Sequence, residues 1–256
     1  MTAAMSLRGL QKSFGQKRAV DGLDLEVRPG CMFGLVGPNG AGKTTTLSMA
    51  TGLLRPDSGR AFVLGHDVWT DPVRAKELMG VLPDGLRLFD RLSGGELLRY
   101  VGLIRRVPLP DIETRSAELL GALGLAADRD TLVVEYSAGM TKKIGLACAL
   151  IHAPRLLILD EPFEAVDPVS GEAIRSILRD FVRGGGTVVL SSHVMELVES
   201  LCDELAVVAQ GRVLAAGTLD EVRAGSTLQQ RFLDLVGFQA AAEGGLAWLR
   251  SSSDSN

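Results

Sequence analysis

A glycine-rich loop constrains this chain more than any other part of its sequence. Residues 37–44 read Gly-Pro-Asn-Gly-Ala-Gly-Lys-Thr and match the phosphate-binding pattern Gly-x-x-x-x-Gly-Lys-Ser/Thr in full. Glycines let successive backbone N–H groups point inward and surround anionic oxygens. Lys43 brings a positive charge to the β- and γ-phosphates, and the Thr44 hydroxyl is placed to ligate Mg²⁺. The predicted phosphate contacts are Gly37, Pro38, Asn39, Gly40, Ala41, Gly42, Lys43, Thr44 and Thr45.

The segments on either side of the loop fit this interpretation. Residues 32–36 form a short apolar run typical of a buried strand, and residues 44–53 follow as a helix whose N-terminal dipole faces the phosphates. A glycine-rich turn without a ligand would explain the glycines but not the Gly-Lys-Thr ending. The context therefore favours nucleotide binding.

Two acids follow another predicted strand. Residues 156–159 are all apolar, as in a strand buried on both faces, and Asp160 and Glu161 come next. Open α/β sheets bind their ligands at the carboxyl ends of the strands. Asp160 is expected to hold Mg²⁺ directly or through water, and Glu161 to polarise the attacking water as general base. His193 follows the apolar strand 187–190 and could reach the γ-phosphate, whereas the other two histidines are expected to be structural.

Composition and charge narrow the class of protein. The chain has 256 residues, 46% of them hydrophobic, and a formal net charge of −4. No strongly basic tract is present, which argues against nucleic acid as the main partner. The cysteines lie far apart in apolar segments, so buried thiols in a reducing compartment are expected. The longest apolar stretch, residues 144–153, is too short to span a bilayer and the N-terminus lacks a signal peptide, so we expect a soluble chain.

The order of these motifs resembles the ATP-binding cassette ATPases, the nucleotide-binding subunits of ABC transporters. The resemblance covers all but about the last twenty residues. It implies an α/β fold, with a P-loop NTPase core containing a mixed sheet, a small antiparallel N-terminal β subdomain and a helical insert. The ATPase domain would span residues 1–237, with its core at 1–83 and 141–237 and the helical insert at 84–140. Residues 238–256 are predicted to be a partly disordered tail.

The family carries a signature of the form Leu-Ser-Gly-Gly-Gln, for which the chain has two candidates. Residues 92–96 read Leu-Ser-Gly-Gly-Glu, and residues 136–140 read Tyr-Ser-Ala-Gly-Met. The signature opens a helix that leads directly to the strand with the two acids, and only the second candidate has that sequel. Ser93 and the glutamate three residues later instead indicate a capping box. We therefore predict that Ser137 and Gly139 contact the γ-phosphate, in trans, from a helix N-terminus.

Other positions take their expected roles from the resemblance alone. Phe14 would stack on adenine, a π contact that an exposed aromatic ring can make. Asp84 stands where the family usually has glutamine, and could reach Mg²⁺ or the attacking water through a second water. Asp167 matches the acid that crosses the dimer interface. Phe163 and Glu164 depart from the small or polar residues more usual in the family.

The resemblance implies a Mg²⁺-dependent, ATP-binding and ATP-hydrolysing subunit that powers transport. Residues 207–222 and 228–237 resemble exporter-type subunits, which favours export. Two copies would face each other head to tail, as a homodimer. A separate transmembrane permease would dock near residues 84–106 and hold the subunit at the cytoplasmic, inner face of the cell membrane. The arginines of this segment are candidate contacts or a solvated face: Arg87, Arg91, Arg99, Arg105 and Arg106.

Three other classes of protein share a phosphate-binding loop. A DNA-repair cassette would need a long coiled-coil or zinc insert between Lys43 and Ser137, and the sequence has none. A GTPase would need the Asn-Lys-x-Asp motif, which is absent, and neither a GTPase nor a kinase would explain the signature-like segment. A regulatory ATP binder without turnover stays open because of Asp84, although Glu161 argues against it. The transported substrate is not encoded here, since cargo contacts belong to the permease.

Overall fold

The computed structural model describes residues 2–237, and the predicted tail at 238–256 lies outside them. Two β-sheets and their covering helices account for these residues. The strands are β1 (Met5–Phe14), β2 (Lys17–Val27), β3 (Met32–Val36), β4 (Ser58–Val63), β5 (His66–Asp67), β6 (Met79–Leu82), β7 (Leu156–Leu159), β8 (Thr187–Ser192), β9 (Glu204–Ala209) and β10 (Arg212–Thr218). The helices are α1 (Lys43–Ala50), α2 (Pro72–Leu78), α3 (Gly94–Ile104), α4 (Leu109–Ala122), α5 (Ala138–Leu150), α6 (Pro168–Arg183), α7 (Met195–Leu201), α8 (Leu219–Arg223) and α9 (Leu228–Val236).

The larger sheet has the strand order β10-β9-β3-β8-β7-β6. Its strands pair in parallel except for β10, which is antiparallel to β9. Strands β3, β7 and β8 are buried along their whole length, because layers of structure cover both faces of the sheet. This mixed sheet confirms the predicted α/β fold class.

Alternate side chains of the central strands enter two separate hydrophobic cores. Met32 and Val36 of β3 face a core formed with helices α5, α6 and α7, whereas Phe33 and Leu35 face a second core. The second core is closed by α1 and by the smaller, antiparallel sheet β2-β1-β4-β5. This sheet is the predicted N-terminal β subdomain. It covers the face of the large sheet opposite to α5.

The helical insert contains α3 and α4, which pack on each other and on α5. The apolar sequence Leu-Val-Val at residues 132–134 predicts a strand, and this prediction is wrong. Val133–Glu135 is a single 3₁₀ turn, and Leu132 makes only an isolated bridge to Ser93. The backbone N–H of Val133 donates to a loop carbonyl instead of to a sheet, and its side chain is buried beneath the helices. The insert boundaries at 84 and 140 stay a prediction.

No helix within residues 2–237 combines the length and apolar character that crossing a bilayer requires. The helices pack instead by amphipathic faces, as α6 does with Ile174 and Leu178 on the first core. The sequence Gln210-Gly211-Arg212 predicts a tight turn, and one is present between β9 and β10, where Gln210 and Gly211 have positive φ of 51° and 75°. This arrangement suits a two-residue hairpin turn.

The surroundings of the cysteines and of two of the histidines suit the structural roles predicted for them. His152 is partly buried, its Nε2 donates to the Met79 carbonyl at 3.0 Å, and burial together with nearby Arg105 lowers its pKa to about 4. His66 contacts the Asp71 carboxylate at 2.8 Å, so Asp71 does not cap α2 with its side chain. Burial raises the pKa of the Cys31 thiol to about 11 and that of Cys148 to about 12.

Helix α3 begins with the capping box predicted from Ser93 and Glu96. The Ser93 hydroxyl accepts from the Glu96 backbone N–H, and the Glu96 carboxylate accepts from the Ser93 N–H at 2.9 Å. A Cβ on Gly94 would lie 2.2 Å from the Tyr136 hydroxyl. That hydroxyl is itself fixed by donating to the Asp128 carbonyl at 2.7 Å. Packing therefore accounts for the Ser-Gly-Gly-Glu run without a ligand.

We predict that Gly94→Ala destabilises the chain by about 1–3 kcal/mol, because the added methyl group overpacks against the fixed Tyr136 side chain. Thermal unfolding followed by circular dichroism measures the effect as a Tm lowered by several degrees. The control is Gly121→Ala on α4, where a Cβ would meet nothing within 4 Å. Its Tm is expected to stay level or rise slightly. Equal Tm values for the two variants would contradict this explanation of Gly94.

Candidate active site

The phosphate-binding loop connects β3 to α1, and its glycines are required by backbone geometry. Gly40 and Gly42 have positive φ values of 80° and 104°. A Cβ on Gly42 would lie 2.4 Å from the Ala19 carbonyl oxygen, and one on Gly37 would lie 2.1 Å from the Val208 carbonyl oxygen. Neighbouring backbone therefore holds the loop in place, while its inner surface stays free of side chains.

Lys43 is buried at the start of α1 with 6% of its side chain exposed. Its Nζ donates to the carbonyl of Gly37 at 2.8 Å and to that of Pro38 at 3.4 Å. The same nitrogen lies 3.5 Å from Oε1 of Glu161. The loop carbonyls thus hold the Lys43 ammonium group at the phosphate-binding loop, where it faces the Glu161 carboxylate.

Asp160 and Glu161 follow β7, as predicted, and both are largely buried, with 4% and 12% exposure. Glu161 has φ of 47°, a left-handed conformation that few residues with a Cβ adopt. This conformation ends the strand and directs the carboxylate towards two cationic or basic groups. Oε1 faces Lys43, and Oε2 lies 3.1 Å from Nδ1 of His193. The structure therefore brings Lys43, Glu161 and His193 together.

A cleft of about 390 Å³ lies above these groups. Among the residues predicted for the site, those of the loop from Asn39 to Thr45 line its walls, together with Phe14, Asp84, Glu161 and His193. The walls also contain three residues without a predicted role: Lys17, Ala19 and Glu164. Ser137, Gly139 and Asp167 do not line the cleft of their own chain.

Phe14 is 52% exposed, whereas an aromatic residue of the core would be buried. Its ring forms one wall of the cleft, with Lys12 Nζ 5.8 Å from the ring centroid. Asp84 is also exposed at the cleft, where one carboxylate oxygen accepts from the Gly85 N–H at 2.8 Å. Both side chains can therefore meet a ligand without rearrangement of the core.

Ser137 caps the N-terminus of α5, where its Oγ accepts from the Met140 N–H at 3.2 Å. Ser137 is exposed, in contrast to Ser93, of which only 7% is exposed. Asp167 caps α6, and hydrogen bonds from Ser170 lower the pKa of its carboxyl. Of the two signature candidates, only the one at Ser137 opens a helix on the surface.

Residues at the cleft, together with Asp160 next to it, offer the oxygen ligands that Mg²⁺ prefers. Thr44 is exposed at the start of α1, Asp160 supplies a carboxylate, and Glu161 Oε1 is a buried oxygen without a hydrogen-bond partner among the described residues. Mg²⁺ usually takes one or two protein oxygen ligands together with phosphate oxygens and water, and these residues can supply such ligands.

Ser191 was not among the predicted site residues, although it touches both acids. Its Oγ lies 2.5 Å from Asp160 Oδ1 and 2.9 Å from the Glu161 backbone nitrogen. The only sequence signal is a serine directly after the apolar run 188–190, two residues before His193. That signal has no chemical meaning until the pairing of β7 with β8 is known.

Residues 20–164 match the sequence model of a family described as ABC transporter. Similar proteins include the daunorubicin/doxorubicin resistance ATP-binding protein of Streptomyces peucetius, 39% identical over 87% of this chain and 67% of that protein. The linearmycin resistance ATP-binding protein of Bacillus subtilis (strain 168) is 36% identical over 84% of this chain and 69% of that protein. The Nod factor export ATP-binding protein I of Cupriavidus metallidurans is 39% identical over 87% and 73%, respectively.

Solved structures have the same fold. An ATP-binding subunit of an ABC transporter superposes with a TM-score of 0.85 at 27% identity, over 91% of this chain and 99% of that one. A nucleotide-free ATP-binding cassette from an ABC transporter superposes with a TM-score of 0.73 over 90% and 98% of the two chains, and at 23% identity this likeness shows the fold alone.

We predict that Ser137→Arg abolishes ATP hydrolysis, because a bulky side chain would occupy the exposed helix N-terminus that is expected to meet the γ-phosphate. Ser93→Ala is expected to keep most of the activity and to lose about 1 kcal/mol of stability with its cap. Phosphate release by the two purified variants at saturating Mg²⁺–ATP measures the difference. The reverse order of activities would show that Ser93 belongs to the functional signature.

Proposed function

This chain belongs to the ABC transporter family as an ATP-binding subunit, and we propose that it hydrolyses Mg²⁺–ATP to power export through a separate membrane permease. The observation that carries the proposal is the convergence of Lys43, Glu161 and His193 on one cleft. A loop without a ligand would not need a buried lysine and a buried glutamate 3.5 Å apart. Such a pair is costly to bury unless it acts on something.

The residues of the loop bind the phosphates. Backbone N–H groups between Gly37 and Thr45 surround them, at the N-terminus of α1, where the helix dipole favours negative charge. Lys43 meets the β- and γ-phosphates. Phe14 stacks on the base at the other end of the cleft. Thr44 and Asp160 would hold Mg²⁺ together with the phosphates, and the metal would neutralise charge on the phosphate oxygens.

Glu161 orients the attacking water and takes its proton. Its carboxylate is positioned for this by the left-handed backbone and by its contacts on both sides. His193 contacts Glu161 Oε2 and is itself 43% exposed, so its other ring nitrogen can reach the γ-phosphate. Asp84, at the edge of the same cleft, acts on Mg²⁺ or on the water through a second water.

The site is completed by a second copy of the chain. Ser137 and Gly139 lie at the exposed N-terminus of α5 and do not line the cleft of their own chain. In a head-to-tail homodimer they meet the γ-phosphate held by the partner, and Asp167 lies at the interface. ATP then acts as a bridging ligand that favours the closed dimer, and its hydrolysis releases the two copies.

The permease docks on the helical insert. Exposed apolar side chains gather there: Phe89 and Tyr100 contact edge to face at 5.1 Å, and Leu103 and Ile104 are 53% and 62% exposed. Arg105 is not free for docking, because it donates to the Lys76 carbonyl. The remaining arginines are exposed around the apolar patch: Arg87, Arg91, Arg99 and Arg106. Docking there places the subunit at the inner face of the cell membrane.

Export is the direction that the relatives favour. Their names refer to drug resistance and to Nod factor export.

A regulatory binder without turnover is the second candidate. Glu161 argues against it, because the buried carboxylate is oriented in the cleft as a general base requires.

We predict that Glu161→Gln lowers kcat for ATP hydrolysis by about 100-fold or more, since the amide cannot accept the proton of water. ATP binding is expected to persist, so the variant should form an ATP-dependent dimer in gel filtration. The control is Glu118→Gln, which changes an exposed acid of α4. Turnover by Glu161→Gln at the rate of the parent chain would refute the proposed general base.

We predict that the chain co-purifies from detergent with the membrane protein encoded beside it, and that Ile104→Asp abolishes this association. A charge in the apolar patch would be buried without a partner on docking. The control is Leu214→Asp on β10, an exposed apolar residue outside the insert. A chain that stays alone when co-expressed with that neighbour, or a loss that is equal in both variants, would argue against docking on the insert.

A further inference from the structure

Ser191 lies at the fifth position of β8 and is completely buried. It forms hydrogen bonds with both of the acidic residues that follow β7. Its Oγ contacts Asp160 Oδ1 and the backbone N–H of Glu161. A single hydroxyl thus bridges the predicted metal ligand and the predicted general base.

Only one orientation of these hydrogen bonds is possible. The Glu161 N–H can only donate, and the ionised Asp160 carboxylate can only accept. The Ser191 hydroxyl must therefore accept from Glu161 at 2.9 Å and donate to Asp160 at 2.5 Å. An alanine at this position would leave a buried N–H and a buried carboxylate oxygen without a partner, which is costly for both groups.

The hydrogen bond between Ser191 and Glu161 involves a residue whose backbone is strained. Glu161 has φ of 47°, and a residue with a Cβ keeps such a conformation only where its surroundings fix it. The Ser191 hydroxyl fixes the N–H of this residue, while Lys43 and His193 contact its carboxylate. The backbone and the side chain of the predicted general base are thereby held by separate contacts.

We propose that Ser191 is a positioning residue for hydrolysis: it aims the Asp160 carboxylate at Mg²⁺ and holds Glu161 in its left-handed conformation. This inference rests on the proposed function. Groups that hydrogen-bond to metal ligands tune metal binding, and their loss costs 10- to 100-fold in affinity or activity. Ser191 would touch neither nucleotide nor metal itself.

The neighbouring Ser192 provides a matched control. It is on the same strand and also buried, with 2% exposure, and its Oγ accepts from the Val194 N–H at 3.0 Å. Its side chain points to the other face of the sheet from Ser191. Ser191→Ala and Ser192→Ala therefore remove the same atom at the same depth, but only one of them alters the acids.

The test measures nucleotide and metal binding separately in the full chain. A fluorescent ATP analogue in EDTA reports nucleotide affinity without metal, and electron paramagnetic resonance reports Mn²⁺ bound to the ATP-loaded chain. Ser191→Ala is expected to keep its nucleotide affinity in EDTA within about twofold of the parent. Its affinity for Mn²⁺ should fall about 10-fold or more, and its kcat should fall by a similar factor. Ser192→Ala should match the parent in all three. Ser191→Thr, which retains the hydroxyl, should restore Mn²⁺ binding.

Three results would overturn the proposal: Mn²⁺ affinity in Ser191→Ala equal to that of the parent, an equal loss in Ser192→Ala, or a loss of nucleotide affinity in EDTA as large as the loss for Mn²⁺. The last two would indicate a general structural role. Failure of the proposed function has a different signature, because the parent chain itself would then not bind or hydrolyse ATP.

Discussion

The buried carboxylate of Glu161 is the group on which the rest of the site depends. A carboxylate with 12% exposure is stable in its charged form only where other groups compensate for the lost water. Lys43 and His193 provide that compensation from two separate segments of the chain. These segments meet because β3, β8 and β7 are adjacent and parallel, so their carboxyl ends lie at one edge of the sheet. The strand order thus determines the chemistry.

The smaller sheet holds the phosphate-binding loop from the other side. The Gly211 N–H, in the β9–β10 turn, donates to the Ala41 carbonyl, and the Asp21 N–H donates to the Gly211 carbonyl, both at 2.9 Å. Arg212 pairs with the Asp21 carboxylate across the same junction. The turn therefore links β2 to the loop. Phe14, at the end of β1, lies at the cleft because both sheets contact the β9–β10 turn.

Much of the fold and the loop could be predicted because the relevant signals are local. Continuous apolar runs identified β3 and β7, and the spacing from Gly37 to Thr44 identified the loop between strand and helix. The apolar run at 132–134 was misleading, because three apolar residues can form either a strand or a turn. In the structure only Val133 is buried, and its N–H donates to the Leu92 carbonyl. Ser191 had no local signal, because its partners are about thirty positions away in the chain.

The two signature candidates show why a literal motif is a weaker guide than its surroundings. In the first candidate, Ser93 is buried and the glutamate completes a capping box. A side chain at Gly94 would overlap with the Tyr136 hydroxyl, so contacts within the fold account for these residues. At Ser137 the serine caps a helix but remains exposed, away from the cleft of its own chain. Each chain thus presents a cleft and, elsewhere, a helix N-terminus suited to an anion. The proposed homodimer would bring these two surfaces together, because the cleft of one copy would face the helix N-terminus of the other.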